Sequence, residues 1–171
     1  MPFGVTPYLN HQLQEYGTEV HMLEIARTLP DGSMDIRCRG DRIYRVENFE
    51  NIPAEQGYST AEVIFLHSNE VSNELVRHEL FKELKDLMHE LGDRYQLKIS
   101  QEDLHSSQFI HKLGLDLDLE LELLIMLDEQ ARQERLIQII RQITRQMKKT
   151  NEIRRRIQLN GHFKRLDALD F

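Results

Sequence analysis

The chain predicts an α+β fold, with a β-rich part first and a helical part second. Three observations carry this. Two apolar, strand-like runs between Gly17 and Val46 flank Leu29-Pro30-Asp31-Gly32, a strong turn signal. From Ser68 onward the apolar residues recur at helical rather than alternating spacing. Near the C-terminus an apolar seam of Leu136, Ile139, Ile140, Ile143, Met147, Ile153 and Ile157 marks one long final helix. The expected division is a β-rich subdomain over 1–67 and a helical subdomain over 68–171.

In chain order, Phe3-Gly4-Val5 is a short extended piece closed by Thr6-Pro7. Val20, Met22 and Ile25 keep a rough alternation up to the Pro30-Asp31-Gly32 turn, where Pro presets φ and Gly supplies φ > 0 without steric cost. Met34, Ile36 and Cys38 alternate on the return strand. Arg39-Gly40-Asp41 reads as a second turn before Ile43, Tyr44 and Val46, which makes a three-stranded antiparallel meander. A loop around Asn51-Ile52-Pro53 leads to the nearly continuous apolar run from Thr60 to Leu66, expected to be a strand buried on both faces.

The helical part opens with Leu75, Leu80, Leu84, Leu87, Met88 and Leu91 on one face, ended by Gly92. Ser100-Gln101-Glu102-Asp103 resembles a capping box, and the helix it opens is expected to end near Gly114. Leu115 to Leu123 alternates Leu with acids, a strand period; Leu and Glu nonetheless favour helix, so a helix starting near Asp116 or Asp118 is expected. Asp128 can cap the final helix, which covers about 30 residues or roughly 45 Å and is stopped by the tail from Gln158 to Phe163.

The 171 residues are 40% hydrophobic and 30% charged, enough for a core in a soluble chain, and no apolar run approaches the roughly 18 residues that span a bilayer. The first ten residues lack a signal-peptide pattern, and the single cysteine, Cys38, precludes an intrachain disulfide, so a cytoplasmic setting without membrane contact is expected. The net charge of −7 hides an asymmetry: residues 131–165 hold 11 Lys/Arg against 2 Asp/Glu, leaving 11 basic and 27 acidic residues elsewhere, a balance of −16.

Several short pieces also carry a resemblance. Gly17-Thr18, Leu29-Pro30-Asp31-Gly32, Met34-Asp35-Ile36, Arg39-Gly40 and Tyr44-Arg45-Val46 occur in order over 30 residues, and together this region resembles the N-terminal, substrate-binding domain of Lon proteases. The opening Phe3 to Leu9 and the stretch from Gln158 to Lys164 are similar to the stand-alone bacterial proteins that carry this domain without the ATPase and peptidase. The resemblance implies a PUA-like, partly closed β-barrel followed by a helical bundle. It also implies a role in holding polypeptide and assembling an oligomer. The family's PLFPL-like first strand, second strand and helix have no counterpart here. The expectation is a β subdomain that lacks these N-terminal strands, with an open edge that favours self-association.

No G-x-x-x-x-G-K-[ST], no serine elbow and no Ser-Lys segment occurs, so no catalytic residue, enzyme activity or cofactor is expected. No two of the eight histidines stand i, i+4, so no metal site is expected. The leading expectation is therefore a non-catalytic module for unfolded or extended polypeptide, an adaptor or sensor in protein quality control. Its apolar lining would draw on Tyr8, Tyr44 and Phe49, with Phe65 read rather as core. The alternative is a polyanion or partner surface of Arg141, Arg145, Lys148, Lys149, Arg154, Arg155 and Arg156. RNA is disfavoured because no aromatic residue lies among these cations, and the bland reading has them partly paired with the acids of 115–122. An oligomerisation module built on the long helix is the third reading.

Overall fold

The computed structural model describes residues 2–50, 58–92 and 99–163, the last helix with side chains through Leu159. The loop expected around Asn51-Ile52-Pro53 lies outside these residues. Among the described residues six strands, β1 (Pro2–Val5), β2 (Tyr8–Leu9), β3 (Gln12–Leu13), β4 (Tyr16–Thr28), β5 (Met34–Glu50) and β6 (Thr60–Phe65), precede three α-helices, α1 (Glu74–Leu91), α2 (Leu117–Ile125) and α3 (Glu129–Phe163). None of the described helices is long and apolar enough to cross a membrane.

The chain forms two compact units, and they do not follow a single cut after residue 67. The first comprises Met1–Glu70 with Phe109–Asp128, and the second comprises Val71–Gln108 with the chain from Glu129 onward. Residues 109–128 thus belong with the sheet.

In the first unit an antiparallel sheet runs in the order β1-β4-β5-β6, beside a small β2-β3 hairpin. That hairpin turns on Asn10 and His11, both at positive φ (51° and 63°), as a two-residue loop of the primed type requires. The turn expected at Pro30-Asp31-Gly32 forms. Leu29 N–H donates to Ser33 O at 2.8 Å, Gly32 has φ 87°, and Asp31 accepts from the Ser33 N–H and hydroxyl at 3.0 and 2.7 Å.

The second turn at Arg39-Gly40-Asp41 does not form: β5 runs straight through it for 17 residues. Between the pairs Thr18↔Ile43 and Val20↔Gly40, β5 advances one residue more than β4, so the glycine marks a β-bulge rather than a reversal. β6 is not buried on both faces either. Among the described residues it is an outer strand paired only with β5, and Ile64 on it is exposed. An apolar run shows that a strand packs well; it does not show whether a second strand lies beside it.

In the second unit α1 packs against α3. Asn73 caps α1 by accepting the Leu75 N–H at 2.8 Å, and Gly92 ends it, donating to Met88 O at 3.1 Å. Leu80, Leu84 and Leu87 are buried, as are Leu136, Ile139 and Ile140 of α3. Leu75 was expected on the same face but is 77% exposed. Five residues before Leu80 amounts to about 500° of helix, which puts it on the opposite side.

The helix expected from Ser100 to Gly114 is absent. Ser100 does form its cap, with its Oγ accepting Asp103 N–H at 3.2 Å, but only a turn and the short 3₁₀ segments Ser106–Gln108 and Ile110–Lys112 follow. Side chains take the backbone donors an α-helix would need: Glu129 accepts Ser106 N–H at 2.8 Å, and Gln108 accepts His105 N–H at 3.2 Å. Buried Glu129 also accepts from Ser106 Oγ (2.6 Å), Arg132 Nη1 (2.9 Å) and Gln133 Nε2 (2.7 Å).

α2 starts where its sequence predicts, with Asp116 accepting the Leu119 N–H at 2.8 Å. α3 is longer than expected, 35 residues, and continues through Asn160-Gly161, which were expected to stop it.

Candidate functional site

The first unit holds a cleft of about 320 Å³. Its walls come from both outer strands of the sheet, Phe3 and Gly4 of β1 and Val63 and Phe65 of β6, with Tyr44 and Phe49 of β5 between them. A four-stranded sheet whose two outer strands line one cleft is curved back on itself, a partly closed barrel.

Tyr44 forms the floor. It is 4% exposed, its hydroxyl is 2.7 Å from Thr6 Oγ1, and its ring meets that of Phe65 edge-on at 6.5 Å. The ring fits because two positions beside it have no side chain. A Cβ on Gly4 would lie 2.6 Å from the Tyr44 hydroxyl, and one on Gly17 would lie 2.5 Å from it. Over Phe65 stands the Arg42 guanidinium, 3.6 Å from the ring centroid, and it grips Glu19 through Nε at 2.8 Å and Nη2 at 3.1 Å. These hydrogen bonds from Arg42 hold the Glu19 carboxyl below the usual glutamate range and raise the arginine. The charged part of the wall is thus internally neutralised, and the rest combines the apolar Phe3, Phe49, Val63 and Phe65 with the uncharged hydroxyl residues Thr6, Ser59 and Thr60.

The backbone at β6 is available. Leu66 N–H donates to Ile43 O at 2.9 Å, and the pairs Tyr44↔Phe65 and Val46↔Val63 continue that register. Antiparallel pairs alternate between hydrogen-bonded and non-hydrogen-bonded, so Val63 and Phe65 turn their N–H and C=O groups away from β5. Among the described residues no strand pairs with β6 on that side, nor with β1 on the side away from β4.

Of the expected lining residues, Phe49 lies on the cleft and is 45% exposed, while Tyr44 meets it only from beneath. Phe65, expected in the core, is a partly exposed wall residue. Tyr8 lies on the β2-β3 hairpin, 66% exposed, with its hydroxyl donating to His11 O at 2.9 Å; it is not among the cleft residues. Sequence reasoning missed Phe3, Val63 and the Glu19–Arg42 pair. The β4–β5 register that unites the last two with Tyr44 could not be read from local pattern, because it contains bulges.

The strand register also assembles Glu19, His21 and Asp41, whose ligating atoms lie within 4.8 Å of one another, His21 Nε2 being 3.3 Å from Asp41 Oδ2. Helical i, i+4 spacing says nothing about such a cross-strand group. Arg42 already occupies both oxygens of Glu19, so the cluster reads as an ion-pair group rather than an open ligand set.

In the second unit the expected basic surface divides. Arg141 bonds Glu79 and reaches Glu83 Oε1 at 2.8 Å, and Lys148 lies 4.0 Å from Glu90. The partners are thus the glutamates of α1 rather than the acids of 115–122. Arg145, Lys149, Arg154, Arg155 and Arg156 are exposed.

No family profile and no curated protein matches the chain. Among solved structures it is similar to the N-terminal domain of the Mycobacterium avium complex Lon protease, with a TM-score of 0.54 at 18% identity over 81% of this chain and 76% of that one. It is also similar to the Lon N-terminal domain protein from Xanthomonas campestris, with a TM-score of 0.48 at 23% identity over 80% of this chain and 75% of that one. The former likeness establishes the fold as that of a Lon N-terminal domain.

Proposed function

We propose that this chain is a non-catalytic module that holds extended polypeptide, acting as an adaptor or sensor in protein quality control, and that the β1/β6 cleft is where it does so. One observation carries the reading: the cleft is bounded by two strand edges that are unpaired among the described residues, over an apolar floor. Outward N–H and C=O groups at Val63 and Phe65 recognise an extended backbone whatever its sequence, and Phe3, Phe49 and Phe65 receive an apolar side chain from it. The Lon N-terminal fold supports the same reading. The chain contains no phosphate-binding loop and no Ser-Lys pair that would make it a peptidase.

The test is binding of a fluorescent, extended apolar peptide and of unfolded casein at low and moderate salt. Binding should be nearly salt-independent, because the cleft has no free charge to contribute. Val63→Pro deletes an outward N–H while leaving the β5–β6 ladder intact, as proline on an outer strand allows. It should weaken binding about tenfold or more with the circular dichroism spectrum unchanged, and Phe49→Ala should weaken it severalfold. Unchanged binding in both variants, or ATP-dependent degradation of casein by the purified chain, would overturn the reading.

A further inference from the structure

The sheet of the first unit has a seam between β1 and β6, and the strand register fixes which backbone groups face it. Val46 N–H donates to Glu15 O at 2.7 Å, so Glu15 and Val46 are a hydrogen-bonded pair, as are Gly17 and Tyr44 two residues on. Thr18 therefore turns its N–H and C=O toward β1, where it meets Val5. Counting back along β1, Phe3 and Val5 bond β4, whereas Pro2 and Gly4 turn outward. Proline fits there, because the N–H it lacks would lie on the unpaired side. On the other edge Val63 and Phe65 turn outward. The seam thus receives the carbonyls of Pro2 and Gly4 and the Gly4 N–H from one side, and the N–H and C=O of both Val63 and Phe65 from the other. Among the described residues no strand pairs with these groups.

Chain direction limits what can fill the seam. Each step along β1-β4-β5-β6 is antiparallel, so β1 and β6 run in opposite directions. A single strand between them is antiparallel to one and parallel to the other. β6 supplies the fuller set of groups, and antiparallel pairing is the more stable per residue, so the inserted strand takes that sense against β6. Its residues opposite Val63 and Phe65 then point to the same face of the sheet as these two. That face is the cleft's, since Phe65 pairs with Tyr44 and both line it. Every second side chain of the inserted strand therefore enters the cleft, and the N–H groups of those residues point to β6. The intervening side chains stay outside, and their N–H groups point to the carbonyls of β1.

We propose that the occupant of the cleft is a strand segment with apolar residues at every second position, inserted between β6 and β1 as a fifth strand of the sheet, antiparallel to β6 and parallel to β1. This rests on the reading of the cleft as a polypeptide site and narrows its substrate class. Segments patterned to become half-buried strands are taken. Segments patterned as amphipathic helices, whose apolar residues recur every three or four positions, are not.

The test is fluorescence anisotropy of the full chain with a labelled peptide of about seven residues, alternating valine and threonine. Two further forms carry backbone N-methyl groups, one at the valines and one at the threonines. Valine methylation removes the donors to β6, and threonine methylation removes those to β1, so each should weaken binding about tenfold or more. Weakening by one form alone means addition to a single edge, and weakening by neither means capture by side chains only. Either result overturns insertion while leaving the cleft a polypeptide site. An unmethylated peptide that fails to bind where casein binds does the same, and failure of both sinks the polypeptide reading as well. Direction is read by disulfide trapping in a Cys38→Ser background, with a peptide carrying cysteine at one end. A C-terminal cysteine should trap Ser59→Cys, just before β6, and an N-terminal one His67→Cys, just after it. The opposite pattern, or equal trapping at both positions, would overturn the proposal.

Discussion

Gly17→Ala offers a direct measurement of how tightly the sheet closes over Tyr44. An ideal Cβ at position 17 would lie 2.5 Å from the Tyr44 hydroxyl, 2.6 Å from its Cζ and 2.6 Å from the backbone oxygen of Val5. The last contact cannot be relieved by a rotamer change, so β1 must shift off β4 or the Tyr44 ring must leave its seat. Overpacking of this kind costs about 1–3 kcal/mol, and displacing the ring also breaks the Thr6–Tyr44 hydrogen bond, worth about 1 kcal/mol more. The expected loss is about 2–4 kcal/mol, which at a slope of about 2 kcal/mol per molar urea moves the unfolding midpoint down by about 1–2 M. Gly40→Ala is the control: its Cβ would meet only Thr18 Cγ2, at 3.3 Å, and the change should stay within about 0.5 kcal/mol. Equal midpoints for the two variants would refute the argument that Gly17 is there to seat the tyrosine.

Other outcomes follow from the same packing and hydrogen bonds. Arg42 holds Glu19 below its unfolded value, so this pair's contribution is complete above the usual glutamate range and fades as pH falls through the lowered value. Glu19→Gln should flatten that part of the acid limb in denaturation midpoints taken across pH. Leu84→Ala, at a fully buried site of α1, should cost about 2–5 kcal/mol, whereas Ile153→Ala on the exposed end of α3 should stay within about 0.5 kcal/mol in dilute solution. Glu129→Ala removes four hydrogen bonds and takes the carboxylate from buried Arg132, so thermal or urea unfolding should show a loss of about 3–5 kcal/mol.

What the sequence made legible was local chemistry. Asp31 and Gly32 build their turn with neighbours two or three residues away, Asp116 caps α2 three residues on, and Gly92 ends α1 by its own freedom at φ 101°. What it concealed was decided at a distance. Arg39-Gly40-Asp41 has turn composition, yet the register against Val20 makes it a bulge. Residues 104–114 lose their helix in part because Glu129, 23 residues after Ser106, claims a backbone donor. The candidate site divided in the same way. Phe49 was visible as an aromatic residue in a polar setting, but Val63 comes beside Tyr44 through the β5–β6 register and Phe3 only through the curvature of the sheet, and an unpaired strand edge leaves no mark in the residues that form it.

The interleaving of the two units has a consequence for biosynthesis. The sheet unit is completed by Phe109–Asp128, which leave the ribosome after the first segment of the helical unit, Val71–Gln108, and before α3, which α1 needs as its partner. The two units therefore finish in turn: the nascent β-sheet must persist without its last 20 residues through the synthesis of α1, and α1 must await α3 after the sheet unit is complete. A chain interrupted before Phe109 leaves apolar surface uncovered in both units, and one interrupted at Asp128, just before α3, still leaves the buried leucines of α1 without their partner, so premature termination yields an aggregation-prone fragment.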